Sequence, residues 1–336
     1  MYPNHSEEYQ YNLLKPPVTS WNVLANTSWY SEDASVFTIT TPEQLAGLSY
    51  LVNNQNVTFS GKTIQLGNDI DLRNCEWVPI GTETKPFKGT FDGQGHAIKN
   101  AYLDENYAYS GLFGYTSEAW VEDLTMEGAY IAANEYGGGI IGGAEDTQLL
   151  NCVSNAKVSA STEGRAGGGI VGVASNTSVV KCINYGRLEG MGNIGGIVGE
   201  GTGNTTVDSC RNYGVITCAR NATGGIVGKG SAIIVVNCLN YGQVTADVEN
   251  TLGVGGIAGI VESGDVYNCV NFGPIKGYST VGGIVGLNET VNCKIYNCYN
   301  IGSVYGSSTD VASDGFGIYV GAVIGRNQKD QGTVKY

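Results

Sequence analysis

The sequence has few charged residues, few prolines and only two histidines. Charged residues make up 15% of 336, against about 25% in an average domain. Together with an excess of glycine, 51 residues in all, this excludes a coiled coil or a helical bundle. The 7 prolines and the lack of a three-residue glycine period exclude collagen, and an apolar fraction of 42% argues against a disordered chain. A glycine-rich, ordered β protein remains.

The sequence is also short of basic residues and of long apolar runs. With 18 basic against 31 acidic side chains, the formal charge of −13 argues against nucleic acid and anionic membranes as partners. No window approaches 18 consecutive apolar residues, so we expect no transmembrane segment. The first twenty residues lack the basic start and apolar core of a secretory signal. Either the protein is cytosolic or its signal has been removed, and we favour the second.

Two phrases recur along most of the chain. Six of the nine cysteines are separated by 30, 28, 28, 31 and 29 residues, and most begin a phrase such as CINYGRLEG. They are Cys152, Cys182, Cys210, Cys238, Cys269 and Cys298. A second phrase, typically GGIVG, keeps step with them and ends at Gly142, Gly172, Gly199, Gly228, Gly259 and Gly286, with a drifted GAVIG ending at Gly325. Such coupled repeats predict a solenoid.

Each unit of about 28 residues contains short β-branched runs separated by Asn, Gly and Ser, and no stretch with helical apolar spacing. Three short strands and three corners per unit predict one rung, that is, one coil, of a parallel β-helix. Residues 60–325 then form about 9 to 10 rungs, stacked about 4.8 Å apart. The fold class is therefore all-β.

We interpret the cysteine column as free thiols packed in the core, since cysteine behaves as a small hydrophobe. Disulfides between neighbouring rungs are the alternative, although nine cysteines cannot all pair within one chain. Cys75, Cys218 and Cys293 lie outside the column. No Cys or Cys/His spacing is that of a zinc site, and we predict no metal and no cofactor.

A second column consists of asparagines that are followed two residues later by glycine. We expect it to form a corner, where asparagine tolerates left-handed backbone and stacked amides bond to the rungs above and below. Its members are Asn184, Asn212, Asn240, Asn271 and Asn300.

The next column is aromatic and relaxes to isoleucine: Tyr185, Tyr213, Tyr241, Phe272 and Ile301. Because the last two residues keep bulk and lose the hydroxyl, we favour packing in the core or under a covered corner. A surface ladder for sugar rings is the alternative.

The adjacent apolar pair in GGIVG faces opposite sides of a flat strand and one side of a bent chain. We favour a bend that buries both residues. The alternative is an exposed stripe formed by Val198, Val227, Ala258 and Val285.

Before the repeats, Thr41 and Gln44 flank Pro42 in the pattern of a capping box and predict one helix, over about 42–53. We expect this amphipathic helix to cover the end of the solenoid. The predicted organisation is an N-terminal arm or linker at 1–36 and one domain at 37–336, divided into a cap at 37–60, first rungs at 61–114, repeats at 115–325 and a C-terminal end at 326–336.

The runs FTITTPEQLAGLSYLVNN, GKTIQLGNDIDL, WVPIGT, FKGTFDGQGHAIKN and GLFG, followed by the GGIVG series, resemble the GLUG-motif proteins. These are bacterial secreted or surface proteins, and the motif also occurs in the non-catalytic part of M26-type IgA1-specific metallopeptidases. The resemblance implies a right-handed parallel β-helix of the pectate-lyase-like kind, export, and an adhesin-like role. It implies no peptidase activity, because the HExxH zinc motif needs two histidines four residues apart and this chain has only His5 and His96.

Enzymes on β-helices use convergent carboxylates, which makes the acidic residues candidates. For Asp69, Asp71 and Asp92, beside turn glycines, we favour structural hydrogen bonding. We expect Glu262, Asp265 and Glu289 to be neighbours on adjacent rungs with no Lys or Arg at an equivalent position nearby.

We therefore predict a non-enzymatic, secreted or cell-surface domain that recognises a protein or glycan of a host or neighbouring cell, or serves as a rigid stalk. We expect the natural chain to continue beyond GTVKY, as part of a longer surface protein. A polysaccharide lyase or hydrolase, or a glycan-binding module, is the alternative. The binding candidates are Asn204, Glu262, Asp265 and Glu289, on variable loops around Asn176, Asn204, Glu262 and Asn288.

Overall fold

The computed structural model describes residues 20–161, 165–249, 251–290, 293–308 and 319–327, and the backbone of 334–335. In these residues the chain forms an all-β parallel solenoid of about nine rungs, as predicted. A typical rung contributes strands to five parallel sheets, so the prediction of three strands per rung is wrong. Corners of two or three residues divide the rung into these five strands. Because such short corners barely interrupt the apolar pattern, two neighbouring strands look like one strand in the sequence.

Sheets 1 and 2 meet at the corner that contains the cysteine column. Sheet 1 consists of Val36–Ile39, Thr63–Leu66, Thr90–Asp92, Trp120–Glu122, Gln148–Leu150, Ser178–Val180, Thr206–Asp208, Ile233–Val236, Gly264–Tyr267, Cys293–Tyr296 and Val334–Lys335. Sheet 2 consists of Ile70–Asp71, Ala97–Lys99, Thr125–Glu127, Val153–Ser154, Ile183–Asn184, Arg211–Asn212, Leu239–Asn240, Val270–Asn271 and Tyr299–Asn300.

Sheets 3, 4 and 5 complete each rung. Sheet 3 consists of Tyr102–Leu103, Tyr130–Ala133, Lys157–Ala160, Leu188–Gly190, Ile216–Cys218, Val244–Ala246, Ile275–Gly277 and Val304–Gly306. Sheet 4 consists of Tyr109–Ser110, Tyr136–Gly138, Ala166–Gly168, Asn193–Gly195, Ala222–Gly224, Gly253–Gly255, Thr280–Gly282 and Tyr319–Gly321. Sheet 5 consists of Phe113–Ser117, Ile141–Glu145, Val171–Ser175, Val198–Thr202, Val227–Gly230, Ala258–Val261, Val285–Asn288 and Ile324–Asn327.

The N-terminal end is covered by the predicted helix, which spans Pro42–Asn53 and starts with the predicted capping box. Its buried face joins the core of the first rungs through residues such as Leu48. A short 3₁₀ helix at Trp21–Leu24 adds to this cover, because Trp21 is buried and its Nε1 donates to Leu72 O at 2.9 Å. The predicted domain boundaries remain predictions.

The asparagine column is a continuous ladder inside the solenoid, as predicted. The Asn184 Nδ2 donates to Asn212 Oδ1 at 2.8 Å, and the Asn212 Nδ2 donates to Asn240 Oδ1 at 2.9 Å. Each amide also bonds to its own corner, as where Gly214 N donates to Asn212 Oδ1 at 3.1 Å. The ladder thus satisfies buried polar groups along its whole length.

Left-handed backbone does not occur at these asparagines. It occurs at the residue before each column cysteine, and those residues are Asn151, Lys181, Ser209, Asn237, Asn268 and Asn297, all with φ between 51° and 56°. The left-handed corner therefore lies three residues earlier than the sequence pattern predicted.

The two repeated phrases pack against each other. A Cβ on Gly196, at the corner between sheets 4 and 5, would lie 2.5 Å from the Asn212 Cγ, so only glycine fits there. At that corner the chain bends, and both Ile197 and Val198 are fully buried, as the favoured interpretation predicted. No exposed apolar stripe forms along this column in the described rungs.

The column cysteines are buried free thiols from Cys152 to Cys269, and Cys298 is partly buried. Their thiols bond to backbone carbonyls, as where the Cys210 Sγ contacts Asp208 O at 3.4 Å. This confirms the interpretation as core thiols. Outside the column, burial and then the charge of Asp265 raise the pKa of the Cys293 thiol to about 12.

We predict that Asn212→Ala destabilises the protein by about 3 kcal/mol, because it removes the ladder bonds and leaves buried polar groups of Gly214 unpaired. Urea unfolding followed by circular dichroism measures this. The control is Arg211→Ala, an exposed change in the same strand, which should change the free energy of unfolding by less than about 0.5 kcal/mol. Equal effects of the two variants would contradict the ladder's role.

We also predict that rapid labelling of the native protein by a thiol reagent is confined to Cys75 and Cys298, the two cysteines that are not fully buried. The double variant Cys75→Ser, Cys298→Ser should then lose rapid labelling, whereas urea should expose the other seven thiols. Mass spectrometry without reductant provides an independent check. A peptide disulfide-linked through Cys182 and Cys210 would refute the thiol column.

Candidate functional site

The outward faces of sheets 4 and 5 form a narrow groove along the solenoid, which we call the inter-sheet groove. Near the corner its walls touch through glycine, because a Cβ on Gly199 of sheet 5 would lie 2.8 Å from Gly167 N of sheet 4. One position farther from the corner, side chains from the two sheets meet. The Asn193 Nδ2, for example, donates to Glu200 Oε2 at 2.9 Å.

The side chains along the groove differ from rung to rung. The sheet 4 wall carries Tyr109, Tyr136, Ala166, Asn193, Ala222, Gly253, Thr280 and Tyr319, and the sheet 5 wall carries Tyr115, Gly143, Val173, Glu200, Lys229, Ile260, Leu287 and Arg326. Tyrosines occupy the N-terminal part, charged and amide groups the middle, and a small apolar cluster of Ala222, Ile260 and Leu287 lies beyond them.

The structure brings Glu262 and Glu289 together on adjacent rungs, as expected, with Glu289 N donating to Val261 O at 3.0 Å. A lysine nevertheless lies beside them, so the expectation of no nearby Lys or Arg is wrong. The Lys229 Nζ lies 2.7 Å from Glu262 Oε1, and the charges of Glu200 and Glu289 also act on it. Because sheet 5 strands pair in register, Glu200 and Lys229 stack directly although they are one repeat apart in sequence.

This ion pair sets the protonation of the site. Burial raises and the hydrogen bond from Lys229 lowers the pKa of Glu262, and the net shift is downward. The same hydrogen bond raises the pKa of Lys229. Both groups are therefore charged at neutral pH.

The other two candidates lie apart from this pair. Asp265 belongs to sheet 1, where it pairs with Ile234 and Lys294 on the neighbouring rungs. Asn204 is exposed at a left-handed corner with φ of 65°, two rungs away from Glu262. Its conformation gives asparagine a structural reason to be there.

Of the four predicted variable loops, three follow sheet 5 along one edge of the solenoid, around Asn176, Asn204 and Glu262. Asn288 instead is the last residue of the sheet 5 strand Val285–Asn288 and is buried, with 1% of its surface exposed. Its Nδ2 donates to Asn327 Oδ1 at 2.9 Å. Its placement in a presented loop was therefore wrong.

The aspartates of the first rungs hold turns, as predicted. The Asp69 Oδ1 accepts from Ala97 N at 3.0 Å, and its Oδ2 lies 2.8 Å from the Lys99 Nζ. The hydrogen bond from Lys99, followed by that from Ala97, lowers the pKa of Asp69 to about 2. Asp71 accepts from Arg73 N at 2.8 Å, and Asp92 accepts from Gln94 N at 2.9 Å.

The aromatic column lies on the surface, so the favoured interpretation of a packed column was wrong. Because Asn184 points inward, Tyr185 points outward, and its exposed fraction is 50%. The rings of Tyr213 and Tyr241 stack with centroids 4.7 Å apart and planes 2° apart. A ring at that spacing covers the faces of its neighbours, so the ladder presents edges and hydroxyls and has no room between its rings for a sugar.

A cleft of about 360 Å³ opens at the N-terminal end of the inter-sheet groove. It is lined by the helix end at Asn53, by residues 78–84 and by the segment from Tyr107 to Tyr109. Tyr109 also packs edge-on against Tyr115, with ring centroids 5.0 Å apart. These tyrosines were not among the predicted site residues. The signal was there, because Tyr109 and Tyr136 are one repeat apart.

Within the described ranges, no group of three or more His, Cys, Asp and Glu side chains is arranged to hold a metal ion. In the same residues, no helix combines the length and apolar character needed to span a bilayer.

No family model matches the sequence. Halomucin from Haloquadratum walsbyi is 27% identical to this chain over 127 residues, a match that covers 33% of this chain and 1% of Halomucin. The chain thus spans about a hundredth of the length of that curated relative.

Two solved structures resemble the fold. One, from Bacteroides ovatus, is described provisionally as an immunoglobulin A1 protease. It aligns with a TM-score of 0.53 at 20% identity, over 93% of this chain and 87% of that one. A second, named IgA1 Protease, aligns with a TM-score of 0.51 at 18% identity, over 77% of this chain and 21% of the other. At these identities the likeness shows a shared β-solenoid fold, and the GLUG resemblance remains a prediction.

We predict that Lys229→Met lowers the melting temperature most at neutral pH. In the native protein the lowered pKa of Glu262 means that the ion pair stabilises the fold above the ordinary carboxyl pKa, near 4.3, and loses this effect as the pH falls through the folded pKa. In the variant, burial, which is the largest influence on the pKa of Glu262 and raises it, is opposed only by the hydrogen bond from Ser231, so that acid stabilises the variant.

At pH 7 we expect the free energy of unfolding of the variant to be about 1 kcal/mol lower than that of the native protein, the upper end for a partly exposed ion pair. This difference should shrink towards pH 4. Thermal melts at several pH values measure this, with Lys294→Met on exposed sheet 1 as the control. A deficit that is independent of pH would contradict the assignment.

Proposed function

We propose that this chain is a non-enzymatic β-solenoid module of an exported or cell-surface protein. It either recognises a protein or glycan of a host or neighbouring cell or serves as a rigid stalk. The observation that carries the proposal is a constant interior under a varied exterior. The asparagine ladder and its packed glycines repeat in each rung from Asn184 to Asn300, whereas the walls of the inter-sheet groove change at each one.

The physical logic is that of a scaffold. A repeated core makes each rung stack on the next at a spacing of about 4.8 Å, so outward side chains hold fixed positions along an extended surface. Because such a surface is already ordered, binding to it loses little conformational entropy, which favours recognition. The similarity to Halomucin and to chains named as IgA1 proteases supports a role outside the cell.

The alternative is a polysaccharide lyase or hydrolase. Its best candidates are Glu262 and Glu289, since they adjoin on neighbouring rungs. A general acid at neutral pH needs a raised carboxyl pKa, whereas that of Glu262 is lowered by Lys229. The pair is therefore better suited to holding the corner after sheet 5 than to proton transfer.

An array of glycans and of host proteins, probed with the purified chain, tests recognition. We expect binding to a small set of related ligands, and a blank array would reject recognition and leave the stalk role. A panel of polysaccharides tests the enzyme alternative. Turnover that disappears in Glu262→Gln or Glu289→Gln, and persists in the exposed control Glu105→Gln, would overturn the proposal of a non-enzymatic module.

A further inference from the structure

The tyrosine end of the inter-sheet groove already binds one guanidinium, that of Arg165. Its Cζ lies 5.4 Å from the centre of the Tyr136 ring, and its Nη1 donates to the Tyr136 hydroxyl at 2.9 Å. Its Nη2 lies 3.0 Å from Glu135 Oε2. An aromatic face, a phenol oxygen and a carboxylate thus hold the group together, a combination that suits a planar cation.

The same ring column continues towards the N-terminus and ends at the cleft. Tyr109 stacks on Tyr136 with centroids 5.1 Å apart and planes 17° apart, so Tyr136 covers one of its faces. The preceding rung contributes residues 78–84 on the other side, where Tyr109 lines the cleft. The column therefore offers an aromatic ring to the cleft, as Tyr136 offers one to Arg165.

The charge around the cleft is of the required sign. Glu83 lines it, and burial followed by the charge of Glu83 raises the pKa of Tyr109 to about 12, so the phenol stays neutral. The Tyr107 hydroxyl lies 3.5 Å from Glu76 Oε1, which adds a second carboxylate nearby. Lys85 is the basic residue next to this loop, and its Nζ is bonded to Asn53 O at 2.7 Å.

We infer that the cleft bordered by Tyr109, Tyr107 and Glu83 is a binding site for an arginine side chain of a partner polypeptide. The guanidinium stacks on Tyr109 and pairs with Glu83, repeating in trans what Arg165 does in cis one rung later. A volume of about 360 Å³ accommodates one such side chain with its flanking backbone. The inference deepens the proposed recognition function and rests on it.

The test is an NMR titration of the full chain with the peptide acetyl-Gly-Arg-Gly-amide. We expect shifts of the backbone amides of Gly81, Thr82 and Tyr109, with binding in the millimolar range usual for a single side chain. The same peptide with citrulline, which is planar but neutral, should bind at least tenfold more weakly, because it lacks the charge that Glu83 and the ring attract.

Two variants locate the site, and a third serves as control. Glu83→Gln and Tyr109→Leu should each weaken the arginine peptide about fivefold or more, and Glu83→Gln should leave citrulline binding unchanged. Tyr213→Leu, in the exposed ladder where stacked rings cover both faces of the side chain, should have no effect. A thermal melt checks that Tyr109→Leu is folded, and Glu83→Gln tests the site by itself because Glu83 is exposed.

Each remaining outcome overturns the inference. Equal binding of the arginine and citrulline peptides would indicate a neutral-ring site such as one for sugars, and shifts elsewhere or undiminished binding by Glu83→Gln would place the contact outside the cleft. The array separates this inference from the broader proposal. If the array gives ligands that Tyr109→Leu binds as well as the native chain does, the recognition proposal stands and this site is rejected. If the array is blank and the arginine peptide still binds, the site stands and the broader recognition proposal is rejected.

Discussion

The contact between the asparagine ladder of sheet 2 and the glycines at the corner between sheets 4 and 5 is the constraint on which the rest of the cross-section depends. From Gly169 to Gly283, the second glycine of each phrase lies against an asparagine amide, as Gly196 does against Asn212, where a methyl group would clash. The corner is thereby drawn into the middle of the rung. Because the amides bond to one another along the axis, each rung from Asn184 to Asn300 must repeat the same contact, and there the two phrases have to recur together.

This constraint also creates the functional surface. A corner drawn inward makes the outward faces of sheets 4 and 5 turn towards each other, and the inter-sheet groove is the result. Along its floor, sheet 5 contributes a glycine on each rung from Gly172 to Gly286 that contacts the sheet 4 backbone, but its rims carry a different pair of side chains on each rung. Lys229 between carboxylates and Tyr109 at the cleft are two products of this arrangement. The proposed recognition role and the arginine site both depend on it.

Prediction from the sequence succeeded where a residue's role depends on its own column. Burial of Cys182, bonding of Asn212 and the capping box at Thr41 follow from residue chemistry repeated at one spacing, and all three were predicted. It failed where the answer depends on a neighbouring column. The exposure of Tyr185 follows from the inward direction of the preceding asparagine, and the partner of Glu262 comes from another rung.

By itself, the sequence determined the repeat, the parallel solenoid, the capping helix and the identity of the stacked interior, because these follow from spacing and from what each residue type tolerates when buried. Only the tertiary structure decided that a rung has five strands, that the aromatic ladder is exposed, and that Glu262 is paired with Lys229. The physical reason is that a bend of two or three residues leaves the apolar pattern of the sequence unchanged. The same bend nevertheless changes the direction of the side chains that follow it, and so changes which side chains are in contact. Function at this surface depends on those bends, and therefore on contacts between residues that lie one repeat or more apart.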